Sequence, residues 1–408
     1  MNNTVVAAFL AAASLLACTG RQPDADRVSE TTGAGETEAA DTLVFLPASL
    51  QRMRTTSGAV YLGNLEATIE ALSEQLRDQS SATLERMLAL QLVLRFQILG
   101  RLGDLEHADQ LAQQSLDTLP HPATVLLKVR IDGAFHRFSD ALARLDRLQT
   151  DHPELTPSVH EVRTGVLRAL GRIDLSVSKP AVRPSIKSMS EVANKLVDQG
   201  RLNEALVRFH LAQGAYQGVN PFPLAFLHSQ IGIAYLRYGH LDNARLFLEA
   251  ALARLPGLLI ARDHLAETHV RLGNTETAIE MYRQLVESTG DPEFCGVLEG
   301  LFEEKGRKRE QSDYRQCARA GFESRLADHP EAYWYHAAEY FMARGETALA
   351  LELATLNTQQ RSDSASLVQI VRIVYATGES SQMCQFLLLL RNRGLNPPEL
   401  AELNLSVC

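Results

Sequence analysis

Aromatic residues are scarce in this chain, at 6% of 408 positions with one tryptophan, and no stretch alternates apolar and polar residues with period two. That combination argues against a β-sandwich or barrel, whose strands are rich in aromatic and β-branched residues. The motifs of common enzyme chemistry are missing too. There is no Gly-rich phosphate loop, no GxSxG elbow, no HExxH helix and no CxxC or CxxCH pair. Those absences remove the phosphate-cradling, serine-nucleophile, zinc-hydrolase and dithiol chemistries that the motifs carry. His264 and His269 are five residues apart, about 500° around a helix, so they do not share a face well. Neither metal nor cofactor is expected, and carboxylates, though numerous, form no pair whose apolar setting can be argued. A basic excess is also lacking: 40 Lys and Arg stand against 49 Asp and Glu, a net charge of −9. Nucleic-acid binding calls for a clustered basic face, so no nucleic-acid partner is expected.

Residues 4–17 (TVVAAFLAAASLLA) are apolar or small. The run is shorter than the roughly 20 residues needed to span a bilayer core, and it fits the apolar region of a secretory signal. It ends in Leu15-Leu16-Ala17-Cys18, which resembles the lipobox of bacterial lipoproteins. The resemblance implies cleavage after Ala17 and acylation of Cys18. It departs from the pattern in having no Lys or Arg before the apolar run. Thr19 and Gly20 follow the cysteine rather than an aspartate, which by family analogy implies the outer membrane, facing the periplasm.

A tether follows, over 18–42. Residues 19–41 carry six acids against Arg21 and Arg27, one valine and no aromatic residue. Such a composition buries too little apolar area to offset the cost of ordering. A flexible coil of about 23 residues reaches roughly 25–30 Å, enough to hold a folded part just off a membrane.

The remainder is rich in Ala, Leu and Arg, with apolar residues at helical spacing and runs that break at glycine. Its clearest unit sets Gly232, Tyr235, Gly239, Ala244, Leu248, Ala251 and Pro256 in order. Small residues at 232, 244 and 251 let two antiparallel helices approach closely. Tyr235 and Leu248 fill the space between them, Gly239 turns the chain and Pro256 ends the second helix. This pattern resembles the tetratricopeptide repeat, with its period of about 34 residues. The next unit keeps phase through Ala266, His269, Gly273, Ala278, Tyr282 and Leu285, with His269 in the aromatic slot and Gly290 in place of proline. The pattern decays to Gly300, Gly306 and Ala318. It returns at Trp334, Ala338, Phe341, Gly345 and Ala350, and fades again through Tyr375, Gly378 and Leu387.

Upstream, Phe96, Leu99, Gly103, Ala108, Ala112 and Pro120 mark one unit, and Ala141, Leu145 and Pro153 another; 43–80 reads as helical but out of phase. Residues 176–188 carry two prolines and no helical stripe, and Ser188 stands three before Glu191 at a capping-box spacing. The expected organisation is therefore a signal at 1–17, a tether at 18–42, a helical block at 43–174, a Pro-containing linker at 175–187 and a second repeat block at 188–408. The fold class is all-α, a right-handed α-solenoid of helical hairpins.

Besides Cys18 the cysteines are Cys295, Cys317, Cys384 and Cys408. In an exported protein they could close disulfides in three connectivities. Cys295 should lie early in one helix and Cys317 late in its antiparallel partner, which favours Cys295–Cys317 and Cys384–Cys408; four unpaired thiols are the alternative. His152 and His329, each in Asp-His-Pro, are expected at exposed turns between repeats.

Binding of a protein or peptide is the role such repeats imply. First helices would line a concave groove, and phase puts Phe226, Gln230, Arg237, Asp263, His264, Glu267, Arg271, Tyr335, His336 and Glu339 on it. Mixed charge with aromatics suits an extended peptide or a partner helix. Lys187 and Asn194 are isolated echoes of the carboxylate clamp of chaperone-binding repeats. The expectation is a lipid-anchored scaffold of cell-envelope assembly or secretion. An envelope-modifying hydrolase is the alternative.

Overall fold

The computed structural model describes residues 54–172, 185–401, 403 and 408. The signal, Cys18, the tether and most of the expected linker lie outside the described residues. Among those described there is no strand, and eighteen α-helices follow one another. They are α1 Gly58–Asp78, α2 Ala82–Leu99, α3 Leu102–Thr118, α4 Pro122–Ala134, α5 Phe138–Asp151 and α6 Thr156–Ala169. Next come α7 Ile186–Asp198, α8 Leu202–Gly214, α9 Pro221–Arg237, α10 Leu241–Arg254, α11 Leu259–Arg271 and α12 Thr275–Thr289. The last six are α13 Pro292–Glu304, α14 Lys308–Asp328, α15 Pro330–Ala343, α16 Thr347–Gln360, α17 Ser364–Thr377 and α18 Ser380–Asn392.

Pairs such as α2–α3, α9–α10 and α13–α14 pack as hairpins, and each hairpin packs on the next. The result is a tetratricopeptide-like helical solenoid. A Cβ at Gly232 would stand 2.7 Å from Leu248 Cγ and 3.2 Å from the Ala244 carbonyl oxygen, so a hydrogen is all the contact admits. Gly239, in the turn, has φ +78°, a left-handed conformation that L side chains rarely adopt. Helix starts are also written locally: Asn220 accepts a hydrogen bond from the Phe222 N–H (2.9 Å), with Pro221 at the first helical position.

Three expectations are corrected. The cap of helix α7 stands three residues before the expected one. Ser185 is the cap and Ser188 its reciprocal partner, each hydroxyl accepting the other's backbone N–H. Tyr375 does not fill an inter-helix slot, because it is 41% exposed. His329 is not a solvent-facing turn residue: its ring stacks on Phe135 at 4.5 Å, and Nε2 lies 2.9 Å from Glu106.

That last contact belongs to a series. The Thr56 N–H donates to the Val219 carbonyl, Gly100 abuts Leu259, Gln360 donates to the His136 carbonyl, and the Asn396 N–H donates to the Asp198 carbonyl. Turns within early hairpins thus rest on the connections between later ones, with side-chain partners 162 to 225 residues apart. At about 34 residues a repeat, one superhelical turn holds about five to six repeats, and successive turns sit directly on each other. The largest of three buried apolar clusters accordingly draws residues from Leu65 to Leu400.

Candidate functional site

First helices of adjacent hairpins touch one another (α7 with α9, α9 with α11, α13 with α15, α15 with α17), so they form the inner wall. The tight superhelix folds this wall in on itself. Phe226, Gln230, Asp263, His264 and Tyr335 are buried, and Arg237, Glu267, Arg271, His336 and Glu339 are partly buried. The positions read as an open groove therefore line a nearly closed interior. Between α7 and α9 lies a shallow cavity bordered by Lys187, Glu191, Phe226 and Gln230.

Two of the expected groove cations are already committed inside the chain. Arg237 grips Asp198 (2.9 Å) and Glu399 (2.5 and 3.2 Å), which fastens the C-terminal segment to α7 and α9. Arg271 donates to the Leu236 carbonyl (2.6 Å). Neither is free to meet a ligand.

The structure gathers Asp263, His264, Glu267 and His336 around the junction of α11 with α13, two helices whose backbones approach less closely than the four pairs named above. Four-residue spacing puts Asp263, Glu267 and Arg271 along one face of α11. Asp291 caps α13, with Oδ1 accepting the Glu293 N–H at 3.0 Å and Oδ2 3.5 Å from the Tyr333 hydroxyl. Glu293 pairs with His336 of α15 at 2.7 Å. Burial pushes the Glu267 carboxyl up to about 7, against which the charges of His264 and Arg271 help only in part. Burial likewise raises Asp291 and Glu293. His336 is raised despite burial, because the adjoining Glu293 carboxylate favours its charged form. Tyr282, beneath the cluster on α12, is held far above a phenol's usual range by burial and by Asp263, Glu267 and Glu293.

Several buried atoms here lack a hydrogen-bond partner. His264 is 1% exposed, and neither ring nitrogen is bonded, although Nδ1 lies 3.2 Å from Asp263 in a misaligned direction. Glu267 Oε2, Gln230 Oε1 and Gln369 Oε1 are also unsatisfied. The Gln369 amide nitrogen meanwhile donates to the Tyr335 carbonyl (2.8 Å) and to Glu339 (3.1 Å), which keeps Glu339 tied to α17. Among the described residues no three His, Cys, Asp or Glu side chains converge as metal ligands.

The sequence reading missed Asp291, Glu293, Tyr282 and Gln369. Asp291 was legible as a cap, and Glu293 beside it carried no signal, since its inward aim depends on how α13 docks. Both cysteine pairs are joined in the structure, Cys295–Cys317 and Cys384–Cys408. Cys317 sits in the middle of α14 rather than near its end.

No family model matches the sequence, and no curated protein matches it. Among solved structures the chain is similar to the Cut9–Hcn1 hetero-tetramer of the APC/C, at 16% identity and TM-score 0.42, covering 84% of this chain and 71% of that one. It is similar to human IFIT1 in a dimer with PPP-AAAA, at 13% identity and TM-score 0.41, covering 79% and 92%. A third likeness is to TTC0263, a thermophilic TPR protein of Thermus thermophilus, at 21% identity and TM-score 0.28, covering 58% and 98%.

Proposed function

We propose that the chain is a scaffold, anchored by a lipid on Cys18 to the outer membrane of a bacterial envelope. There it positions a protein or peptide partner along its inner helices, in envelope assembly or secretion. The observation that carries the binding role is the inner wall itself. Native interiors satisfy nearly all their buried polar groups, whereas this one keeps unmet atoms in many places, among them Gln230 on α9, His264 and Glu267 on α11 and Gln369 on α17 along the inner wall. Such atoms are what an incoming polypeptide would bond. The anchor reading rests on the apolar leader and Leu15-Leu16-Ala17-Cys18.

The test is a pulldown of the tagged full chain from detergent-solubilised membranes. A stoichiometric protein partner, diminished by Asp263→Asn with Glu267→Gln, supports the scaffold. Cys18→Ala should move the chain from the membrane to the soluble fraction, and a chain that stays membrane-bound removes the anchor.

A second reading has one observation behind it. Two buried glutamates poised near neutrality are what a general acid or base requires, so an envelope-modifying hydrolase is the rival. Turnover of a cell-wall or lipid substrate by pure protein, lost in Glu267→Gln, would replace the scaffold reading.

A further inference from the structure

The loose junction between α11 and α13 differs from the other contacts of the inner wall. It collects Asp263 and Glu267 from one helix and Asp291 and Glu293 from the start of the next. Of the cations nearby, Arg271 is engaged elsewhere, with the Leu236 carbonyl, and His336 pairs within the cluster with Glu293. Arg325 of α14 lies over the Tyr333 ring at 6.0 Å. Glu267 has no hydrogen-bonded donor on its Oε2, and Asp263 faces only the misaligned His264.

We propose that this junction seats a basic side chain, a lysine ammonium or arginine guanidinium, of the partner polypeptide. The inference rests on the scaffold reading and adds the partner's chemistry to it. Three observations converge. The carboxylates outnumber the cations that touch them. His264, almost wholly buried beside Asp263, has both ring nitrogens unpartnered. Glu267 Oε2, at the same junction, is an acceptor that no donor reaches. Lysine and arginine bring three and five N–H donors and no acceptor, the complement of such a site. A bare metal ion fits less well, because among the described residues no three ligands converge. Glu267 retains partial exposure as a residue.

Proton linkage gives this seat a signature that surface acids lack. Burial holds Glu267 at about 7. The groups facing it are Asp263, His264 and Arg271 on its own helix, Tyr282 on α12 and Glu293 on α13. Asp291, His336, Tyr333 and Arg325 stand around Glu293. A cation bound there competes with a proton, so binding should tighten as pH rises from 6 to 8. Ordinary surface carboxylates are already ionised across that range.

The probe is fluorescently labelled tetralysine, followed by anisotropy with the purified full chain at pH 6, 7 and 8, and Nε-acetylated tetralysine is the control. Affinity should rise at least five-fold from pH 6 to pH 8 and vanish on acetylation. Glu267→Gln should weaken it at least ten-fold at pH 8 and flatten the profile. Glu287→Gln, the same charge change at an exposed position, should leave it intact, with thermal melts confirming that both variants fold. No binding at pH 8, or equal losses in the two variants, overturns the proposal. Spermidine binding as tightly as tetralysine, with the same loss in Glu267→Gln, would reassign the junction to free amines and overturn the partner assignment. A protein partner captured equally by wild type and Glu267→Gln would sink this inference while leaving the scaffold standing. Capture of no partner by the wild type would sink the scaffold.

Discussion

Aligned on their turn glycines, Gly239 and Gly306, hairpins α9–α10 and α13–α14 put different residues at the same two places. Seven positions before the turn stand Gly232 in one and Glu299 in the other; nine after it stand Leu248 and Arg315. In the first hairpin the helices nest through the bare Gly232 backbone against Leu248. In the second, Glu299, fully buried, takes a hydrogen bond from Arg315 (2.7 Å), another from Arg344 of α15 (2.9 Å) and a third from the Tyr340 hydroxyl (3.1 Å). A small-to-large apolar contact has become a charged one, and a disulfide crosses the same hairpin. Loss of the motif from sequence is therefore not loss of the fold. The same slot is filled by chemistry that a repeat pattern does not register.

The largest expected effect breaks the charged version. Glu299→Ala leaves a buried gap, takes the acceptor from the buried Tyr340 hydroxyl and leaves Arg344 only Glu303 (2.9 Å), and should cost about 4 kcal/mol of unfolding free energy in urea. Glu299→Gly combined with Arg315→Leu restores the residues of the regular hairpin and should recover most of that loss; no recovery would mean the two hairpins are not equivalent. Next comes the covalent difference. Cys295→Ser with Cys317→Ser opens a loop of 22 residues and should cost about 3 kcal/mol, with no matching effect of reductant on the α9–α10 hairpin in hydrogen exchange.

The junction joining the two regions should respond to pH. Glu267 is raised to about 7 from an ordinary value of 4.5. The folded state therefore holds its proton more tightly than the unfolded chain does. That stabilisation is fully present below about 4.5 and is lost as pH climbs through 7, so the chain should be less stable at pH 8 than at pH 5 by about 2–3 kcal/mol. Glu267→Gln should flatten the slope, and an unchanged slope would place the titration elsewhere. Smallest is Gly232→Val, whose Cβ would meet Leu248 at 2.7 Å and should cost about 2 kcal/mol by overpacking. A valine tolerated without loss would show that close nesting is not what holds the regular hairpin.

Much of this was legible beforehand. The run from Gly232 to Pro256 located two helices and their turn, because small residues and glycine at fixed offsets are a local requirement of nesting. The interior was misjudged for a physical reason. Phase tells which side of a helix faces inward, and Asp263, Glu267 and His336 do face inward. Whether that side borders an open groove or a closed core depends on small rotations between repeats, summed over a whole superhelical turn. The contacts that report the closure, such as His136 with Gln360 or Arg237 with Glu399, join residues far apart in sequence and follow no period. His329 was misplaced for the same reason, being a turn residue locally and a buried one only once the next turn of the superhelix rests on it.

Turn-on-turn stacking has a mechanical consequence. A free-standing array of repeats frays from its tips, since every unit leans on two neighbours and the end units on one. Here the courses are laid like brickwork, with units leaning on the course above or below as well as on those beside them. Peeling away the last hairpin would also unseat Asp198 and Arg237 some two hundred residues upstream, so melting should travel as a single event across the wall instead of unzipping link by link.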